Sequence, residues 1–474
     1  MWNQGIDPFD SLWLSALVAV IPIVVFLLCL VVFKLTGIIA AAIAVVVEIV
    51  IAMAVFGMPA SGVFGAGLMG LLTALWPIAY IIVMAVWLYR LAVASGRFDV
   101  IRASISGISS DQRIQVLLIS FGFGAFLEGA AGFGVPIAIC AALLVQLGFR
   151  PVKAAMISLV ANVAAGAYGA IGIPVIVGAQ VGGVELAEFS RTMVLILQPL
   201  TFLIPFLLVV ILDGWKGLRE TWVAALVVSV VFSGVQASIL WFLGPELADI
   251  GAGLAAMIAL FVLGRVWQPK NIFREDGGEP PVIERPSLGQ IVTAWSPFYI
   301  LTGFIFVWSI PAFKALFAPD GALAGLVAQV PIPGLTDAIT TASGTVVTTT
   351  WAFTPLNATG TAILLAVIVS FLTSPTLRVS HLWGELRATL TTLWQALVRI
   401  AAILVLANIA NYSGGSASIG AALAAVGPLF PLFAPIIGWV GAFLTGTVVN
   451  NNTLFGPLQV ATANGIGVDP AVLM

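Results

Sequence analysis

Long apolar runs, separated by short polar breaks, fill almost the whole chain. Leu12 to Phe33 holds no charged residue. Coiled as a helix it reaches about 33 Å, enough for the roughly 30 Å hydrocarbon core of a bilayer. Similar runs follow at about Leu35 to Phe56 and Leu68 to Tyr89, and others recur to the end. The pattern predicts an all-α polytopic membrane protein of about 11–13 spans. A β-barrel would show short alternating segments instead, and the chain has none.

Two runs are interrupted in nearly the same words. Gly124-Ala125-Phe126-Leu127-Glu128-Gly129, closing at Phe133-Gly134-Val135-Pro136, returns as Gly441-Ala442-Phe443-Leu444-Thr445-Gly446, closing at Phe455-Gly456-Pro457. Between Ser120 and Pro136 lie five glycines and a proline. Glycine gives up about 1 kcal/mol of helix propensity against alanine and proline about 3, so a break is expected here. Irregular backbone at membrane depth is tolerated only where protein or a water-filled cavity meets its freed polar groups. Paired interrupted segments in two halves of a chain point to a transporter's substrate site. The pattern divides the chain into residues 1–267, with a hairpin near 120–136, a linker at 268–290, and residues 291–474, with a hairpin near 441–457.

Composition sharpens this. The 474 residues are 61% hydrophobic and 8% charged, with a mean hydropathy of +1.16. A water-soluble domain carries about a quarter charged residues, so the solvent is lipid. Asp7 and Asp10 precede the first span and no Lys or Arg does before Lys34, the reverse of a cleaved signal's basic flank. With Arg90, Arg97, Arg102 and Arg113 after the third span, the positive-inside bias puts the N-terminus outside. Lys216 and Arg219 mark another inner loop. Gln268 to Pro286, rich in Pro, Gly and mixed charge, reads as the only sizeable soluble loop. The net charge of −2 and the lack of a basic patch give no grip on nucleic acid.

Catalysis has little to work with. Cys29 and Cys140 are isolated within apolar runs and read as packing residues. His381, the single histidine, reads as a loop or interface residue at a helix entrance. No metal site, cofactor motif or ATPase loop is present in the sequence, so the chain is not read as an enzyme.

The candidate chemistry therefore sits in the breaks. Glu128 is the sharpest residue, because a charged carboxylate near the bilayer centre costs at least roughly 2.5 to 3.5 kcal/mol. A glutamate so placed can load and release a proton, the role assigned to it here. Half-helix N-termini beside it, with Gly129 and Gly132, suit a carboxylate substrate. Any single glycine reads most simply as close helix packing; the cluster around an embedded acid reads as a site. The second copy offers Thr445, Thr447, Asn450, Asn451 and Asn452, which can hold a carboxylate or hydroxyl, or ligate Na⁺ through oxygen. Asn162, Tyr168 and Gln180, and Asn408, Asn411 and Tyr412, are further polar clusters open equally to helix-to-helix bonding and substrate contact. Glu48 also interrupts an apolar run, but without glycine or proline beside it, and reads as a helix-face residue.

At these residues the chain closely resembles the lactate permease family of bacterial L-lactate and glycolate permeases. Phe126-Leu127-Glu128-Gly129-Ala130-Ala131-Gly132-Phe133-Gly134, Gly172-Ile173-Pro174, Asp213-Gly214-Trp215, Gly244-Pro245-Glu246-Leu247 and Trp308-Ser309-Ile310-Pro311 carry the resemblance. So do Ala358-Thr359-Gly360-Thr361-Ala362-Ile363-Leu364, Asn411-Tyr412-Ser413-Gly414 and Leu454-Phe455-Gly456. It implies proton-coupled uptake of L-lactate, D-lactate or glycolate across a bacterial inner membrane. The wider ion transporter superfamily, more loosely similar, suggests paired re-entrant hairpins and elevator-like movement. This chain departs from the family's Gly-Ser-Asp-Thr-Ser-Ser-Asn, having Gly446-Thr447-Val448-Val449-Asn450-Asn451-Asn452. The missing aspartate shifts proton work onto Glu128. Family members continue beyond the position of Met474, so a C-terminal tail is expected.

The expectation is a symporter of a small 2-hydroxymonocarboxylate with H⁺. Its rivals are a Na⁺-coupled carboxylate carrier, an anion-selective channel using the same helix ends, and a membrane anchor or sensor subunit. The sequence leaves oligomeric state open, a homodimer included.

Overall fold

The computed structural model describes residues 1–132, 134–275, 286–342, 344–445 and 447–474. Among them are eight helices long and apolar enough to cross a bilayer, or up to ten if each sharply bent pair is one span. That is fewer than the 11–13 expected, and part of the difference is one element. Leu186–Phe242 is a 57-residue helical stretch with Gly214 at φ 66°, ψ −164°. Unbent, it would set Gln198 and Gln236 about 57 Å apart. Instead Gln198 Nε2 donates to Gln236 Oε1 at 2.8 Å. The stretch is thus two antiparallel helices turning at Gly214, beside the basic residues that marked a loop.

Both interrupted segments also fold back. In the first hairpin the helix Gln112–Ala130, wound wider than an α-helix over Val116–Phe123, stops at a turn where Gly132 and Gly134 adopt φ of 57° and 80°. Only glycine takes such angles without strain. Pro136, in the first turn of Val135–Gln146, starts the return arm, since its missing N–H costs nothing there. Cys140 Sγ reaches Ile119 O at 3.3 Å and Gln112 Nε2 reaches Leu147 O at 3.4 Å, so both arms end together. In the second hairpin, Phe430–Thr445 and Val448–Ile466 are joined by Gln459 Nε2 donating to Ala434 O at 3.4 Å. The Thr447 side chain accepts from Asn450 N and caps the second arm. Phe133 and Gly446 lie outside the described residues.

The base of the first hairpin is clamped by charge. Arg113, 1% exposed, pairs with Asp111 at 2.7 Å, Asp213 at 3.0 Å and Glu220 at 2.8 Å. It also donates to Asn271 O at 2.7 Å. Lys153 binds Glu275 at 2.8 Å. The described start of the linker, Asn271–Glu275, is therefore fastened across the hairpin base and the Gly214 turn. Positions 276–285 of the expected linker lie outside the described residues, and Ser287 opens the next helix with a capping box to Gln290.

Two expectations need correcting. The chain is not wholly α-helical: Trp2–Asn3 pairs in parallel with Ile339–Thr340, and Ala328–Pro331 pairs antiparallel with Thr350–Phe353. Nor is 268–286 the only sizeable loop, because residues 316–358 form an irregular segment holding three of these strands. Its Ile332, Leu335, Ile339 and Val347 are buried against Met58, Val63, Ala66 and Ile409. Apolar residues that pack a small extra layer look in sequence like residues facing lipid.

Candidate functional site

Three breaks in the helices meet at one place. The first is the turn Ala131–Gly134. The second runs from Asn162, after the helix Pro151–Ala161, to Gly172, before the helix Ile173–Gly182. Ile171 there sits at φ 50°, ψ 38°, a conformation that costs a β-branched residue about 1–3 kcal/mol. The third is Gly244, at φ 120°, followed by Pro245–Leu247. Glycine lets them touch. A Cβ on Gly132 would lie 2.8 Å from Ala170 Cβ, one on Gly172 2.7 Å from Pro245 C, and one on Gly129 2.9 Å from Asp249 Cβ. Gly129 and Gly132, expected beside substrate, thus stand where helix breaks press together.

Polar side chains gather at this junction. Glu128 is 6% exposed, the Asn162 amide faces its carboxyl, and its Oε2 has no hydrogen-bond partner. Asp249, 2% exposed, accepts from Gln236 Nε2 at 2.7 Å. Gln236 also donates to Ala164 O at 3.3 Å and accepts from Gln198. Tyr168 is buried nearby with its hydroxyl unpartnered. Among the described residues no Lys, Arg or His pairs with Glu128 or Asp249; the neighbouring Glu246 meets Lys314 at 3.8 Å. Unpaired buried acids are costly to keep charged, so a cluster of this kind can take up and give back protons. The helices Val135–Gln146 and Ile173–Gly182 both start at this junction from glycines, Gly134 and Gly172, that carry no capping side chain. Val135 N is already bonded to Gly132 O and Ile173 N to Ala170 O, and a proline follows each, so an anion can be received only from the third residue of each helix onward.

The other predicted residues lie nearby but apart. Asn408, Asn411 and Tyr412 line a cavity of about 310 Å³ with Thr73, Trp76 and Gln180. Asn408 Nδ2 returns to Leu404 O at 2.8 Å, and Gln4 Nε2 donates to the carbonyls of Asn411 and Tyr412 at 2.9 and 3.1 Å. The second hairpin joins the two places. Its Asn452 Nδ2 donates to Pro174 O at 3.0 Å, at the end of the second break, while its Pro457 lines the cavity. Asn450 and Asn451 have unpartnered Oδ1 atoms. Thr445 ends the preceding helix, and Thr447 caps the next.

Sequence reading missed Asp249, Gln198 and Gln236. Asp249 does follow a Gly244-Pro245 break in an apolar run, the same signal that exposed Glu128, and the glutamines are lone amides in apolar surroundings. The kink at Trp76-Pro77, which brings Trp76 to the cavity, was signalled by a proline inside a spanning run. Glu48 proves buried on the helix Gly37–Ala54. Cys29 and Cys140 are free and buried. His381 Nδ1 accepts from Arg378 N at 3.1 Å at a helix start. Among the described residues no His, Cys, Asp and Glu cluster could hold a metal ion.

Comparison with known proteins gives the family. Residues 15–474 match the sequence family described as L-lactate permease. The chain is 47% identical to the L-lactate permease of Halalkalibacterium halodurans, over all of this chain and 88% of that protein. It is 44% identical to the glycolate permease GlcA of Escherichia coli (strain K12), with the same coverage. The L-lactate permease of that strain is 39% identical, again over 100% of this chain and 88% of the relative. Relatives of this kind are transporters rather than enzymes, and the apolar helices make this a multi-pass membrane protein. The chain belongs to the L-lactate permease family.

Proposed function

We propose that this chain is a secondary active transporter that carries a small 2-hydroxymonocarboxylate, lactate or glycolate, in symport with a proton across a bacterial inner membrane. The relatives' names give the substrate class. The observation that carries the coupling is Glu128, buried without a counterion where three helix breaks meet. Uptake of the proton at Glu128 removes one negative charge from the site. The substrate carboxylate then rests at the starts of Val135–Gln146 and Ile173–Gly182, on N–H groups beyond Pro136 and Pro174, and its hydroxyl is held by side chains of the Asn162 and Asn450–Asn452 groups. Loss of the proton restores a negative charge that expels the anion. Alternating access follows from movement of the hairpin-bearing site against the rest of the protein, in elevator fashion, with residues 1–267 and 291–474 as the two halves. The basic residues Arg90, Arg97, Arg102 and Arg113 set the inner side, which leaves the N-terminus and residues 316–358 outside.

Reconstitution into vesicles tests the reading, with a pH gradient or a sodium gradient imposed separately and a panel of hydroxy acids supplied. Lactate or glycolate should accumulate under the pH gradient, inside alkaline, with sodium absent. Accumulation driven by sodium alone, or flux that neither saturates nor concentrates substrate, would overturn it.

A further inference from the structure

Around the junction of the three breaks, four acceptor oxygens are buried without a hydrogen-bond partner: Glu128 Oε2, Gln198 Oε1, Glu246 Oε2 and Asp249 Oδ2. The Tyr168 hydroxyl there brings one hydrogen of its own and faces Gln198. Buried polar groups ordinarily balance donors against acceptors. Here acceptors are in excess, and the amides of Gln198 and Gln236 already donate to Gln236 Oε1 and Asp249 Oδ1. Cationic side chains do not make up the deficit. Lys314 lies 3.8 Å from Glu246, and no described Lys, Arg or His pairs with either Glu128 or Asp249. Beyond the single hydrogen of the Tyr168 hydroxyl, the cluster is short of hydrogen on oxygen.

Glu128 and Asp249 are brought together from different helices by a glycine. Gly129 follows Glu128 in sequence, and a Cβ there would lie 2.9 Å from Asp249 Cβ and 2.9 Å from Ile250 N. The two acids therefore sit within reach of each other's field. The titratable groups around them are Cys140 from the return arm, Tyr168 from the second break and Glu246 from the third. Gln236 fixes Asp249 through Oδ1, which leaves Oδ2 as its free oxygen.

We propose that Asp249 is the second carboxyl of the proton site and shares one proton with Glu128. The proton passes from the Glu128 carboxyl to Asp249 Oδ2 and back, the pair keeping one negative charge, and the charge of the site changes only when the coupling proton enters or leaves the pair. The chain Gln198–Gln236 holds Asp249 in position to receive it. This inference rests on the proton-symport reading and adds a residue to it.

The test uses the full chain in vesicles, with gradient-driven accumulation and substrate exchange at equilibrium measured separately. Asp249→Asn should lower pH-driven accumulation by about tenfold or more, within the usual range of coupling between sites, while exchange persists. The Glu128→Gln, Asp249→Asn double variant should behave as Glu128→Gln alone, with driven accumulation absent and exchange retained, as partners in one unit do. Driven accumulation by Asp249→Asn at the wild-type level would overturn the proposal, and so would a double variant that loses the exchange Glu128→Gln retains. Should Asp249→Asn not fold, dicyclohexylcarbodiimide, which attacks protonated buried carboxyls, is applied to the wild-type protein in membranes. Adducts on the peptide containing Asp249 support the shared proton; adducts on Glu128 alone contradict it. Wild-type uptake that follows sodium and ignores the pH gradient would defeat the symport reading itself, and this inference with it.

Discussion

In the first hairpin the Gln112–Ala130 arm is buried along its whole apolar length, whereas the Phe430–Thr445 arm of the second leaves Leu432, Trp439 and Phe443 exposed. The first is clamped at its base by Arg113 among Asp111, Asp213 and Glu220. The second has hydrogen bonds but no ion pair among its described residues. Their chemistry divides in the same way: one turn is approached by Glu128, the other by Thr447 and three asparagines. A carboxylate with no counterion needs walls on every side to stay dry, so the acid belongs to the enclosed hairpin. Neutral amides are content at the more open one. The two hairpins thus differ in chemistry, and the difference between them follows burial.

The sharpest way to break this comparison is at the clamp. Arg113→Ala leaves three carboxylates without their cation, two of them partly buried, and should cost about 3–5 kcal/mol. Thermal unfolding in detergent would show it as a large fall in stability, and an unchanged midpoint would mean that the ions do not hold the hairpin. A pair of glycines comes next. A Cβ on Gly441 would strike Asn451 and come within 2.6 Å of Phe455, while one on Gly124 would meet Cys140 Sγ at 3.4 Å, an ordinary contact. Gly441→Ala should therefore destabilise by about 1–3 kcal/mol through overpacking, and Gly124→Ala should be neutral or slightly stabilising. Equal effects would show that the two pairs of arms pack alike. Smaller still is Asn452→Ala, which deletes the bond to Pro174 O. It should cost about 1 kcal/mol, seen as a KM raised a few-fold with the maximal rate nearly kept. A loss of maximal rate instead would put Asn452 in the transport step rather than in substrate binding.

Much of this was legible in the chain. Glu128 stood out because a charge among five glycines and a proline has no ordinary place in an apolar run, and the turn at Gly214 was announced by Lys216 and Arg219. The first hairpin turns at the glycines and Pro136 that had marked it, whereas Gly441, Gly456 and Pro457 of the second lie inside helices rather than at a break. Asp249 was hidden for a different reason. Nothing in sequence says that the break at Gly244 stacks on those at Gly132 and Gly172, and only that stacking brings the second acid to the first. Residues 316–358 were misread because Ile332, Leu335 and Ile339 are as apolar as any lipid-facing residue. The cavity beside Asn408 and Tyr412 needed the kink at Trp76-Pro77 and an extramembrane strand to close it, and both are products of tertiary packing.

The central claim is that the buried acid of the enclosed hairpin carries the coupling proton. Glu128→Gln in vesicles, assayed for pH-driven accumulation and for exchange of lactate across the membrane, tests it most directly. The account predicts that driven accumulation disappears while exchange continues at a measurable rate, because the neutral glutamine imitates the protonated acid. Full pH-driven accumulation by that variant would contradict it.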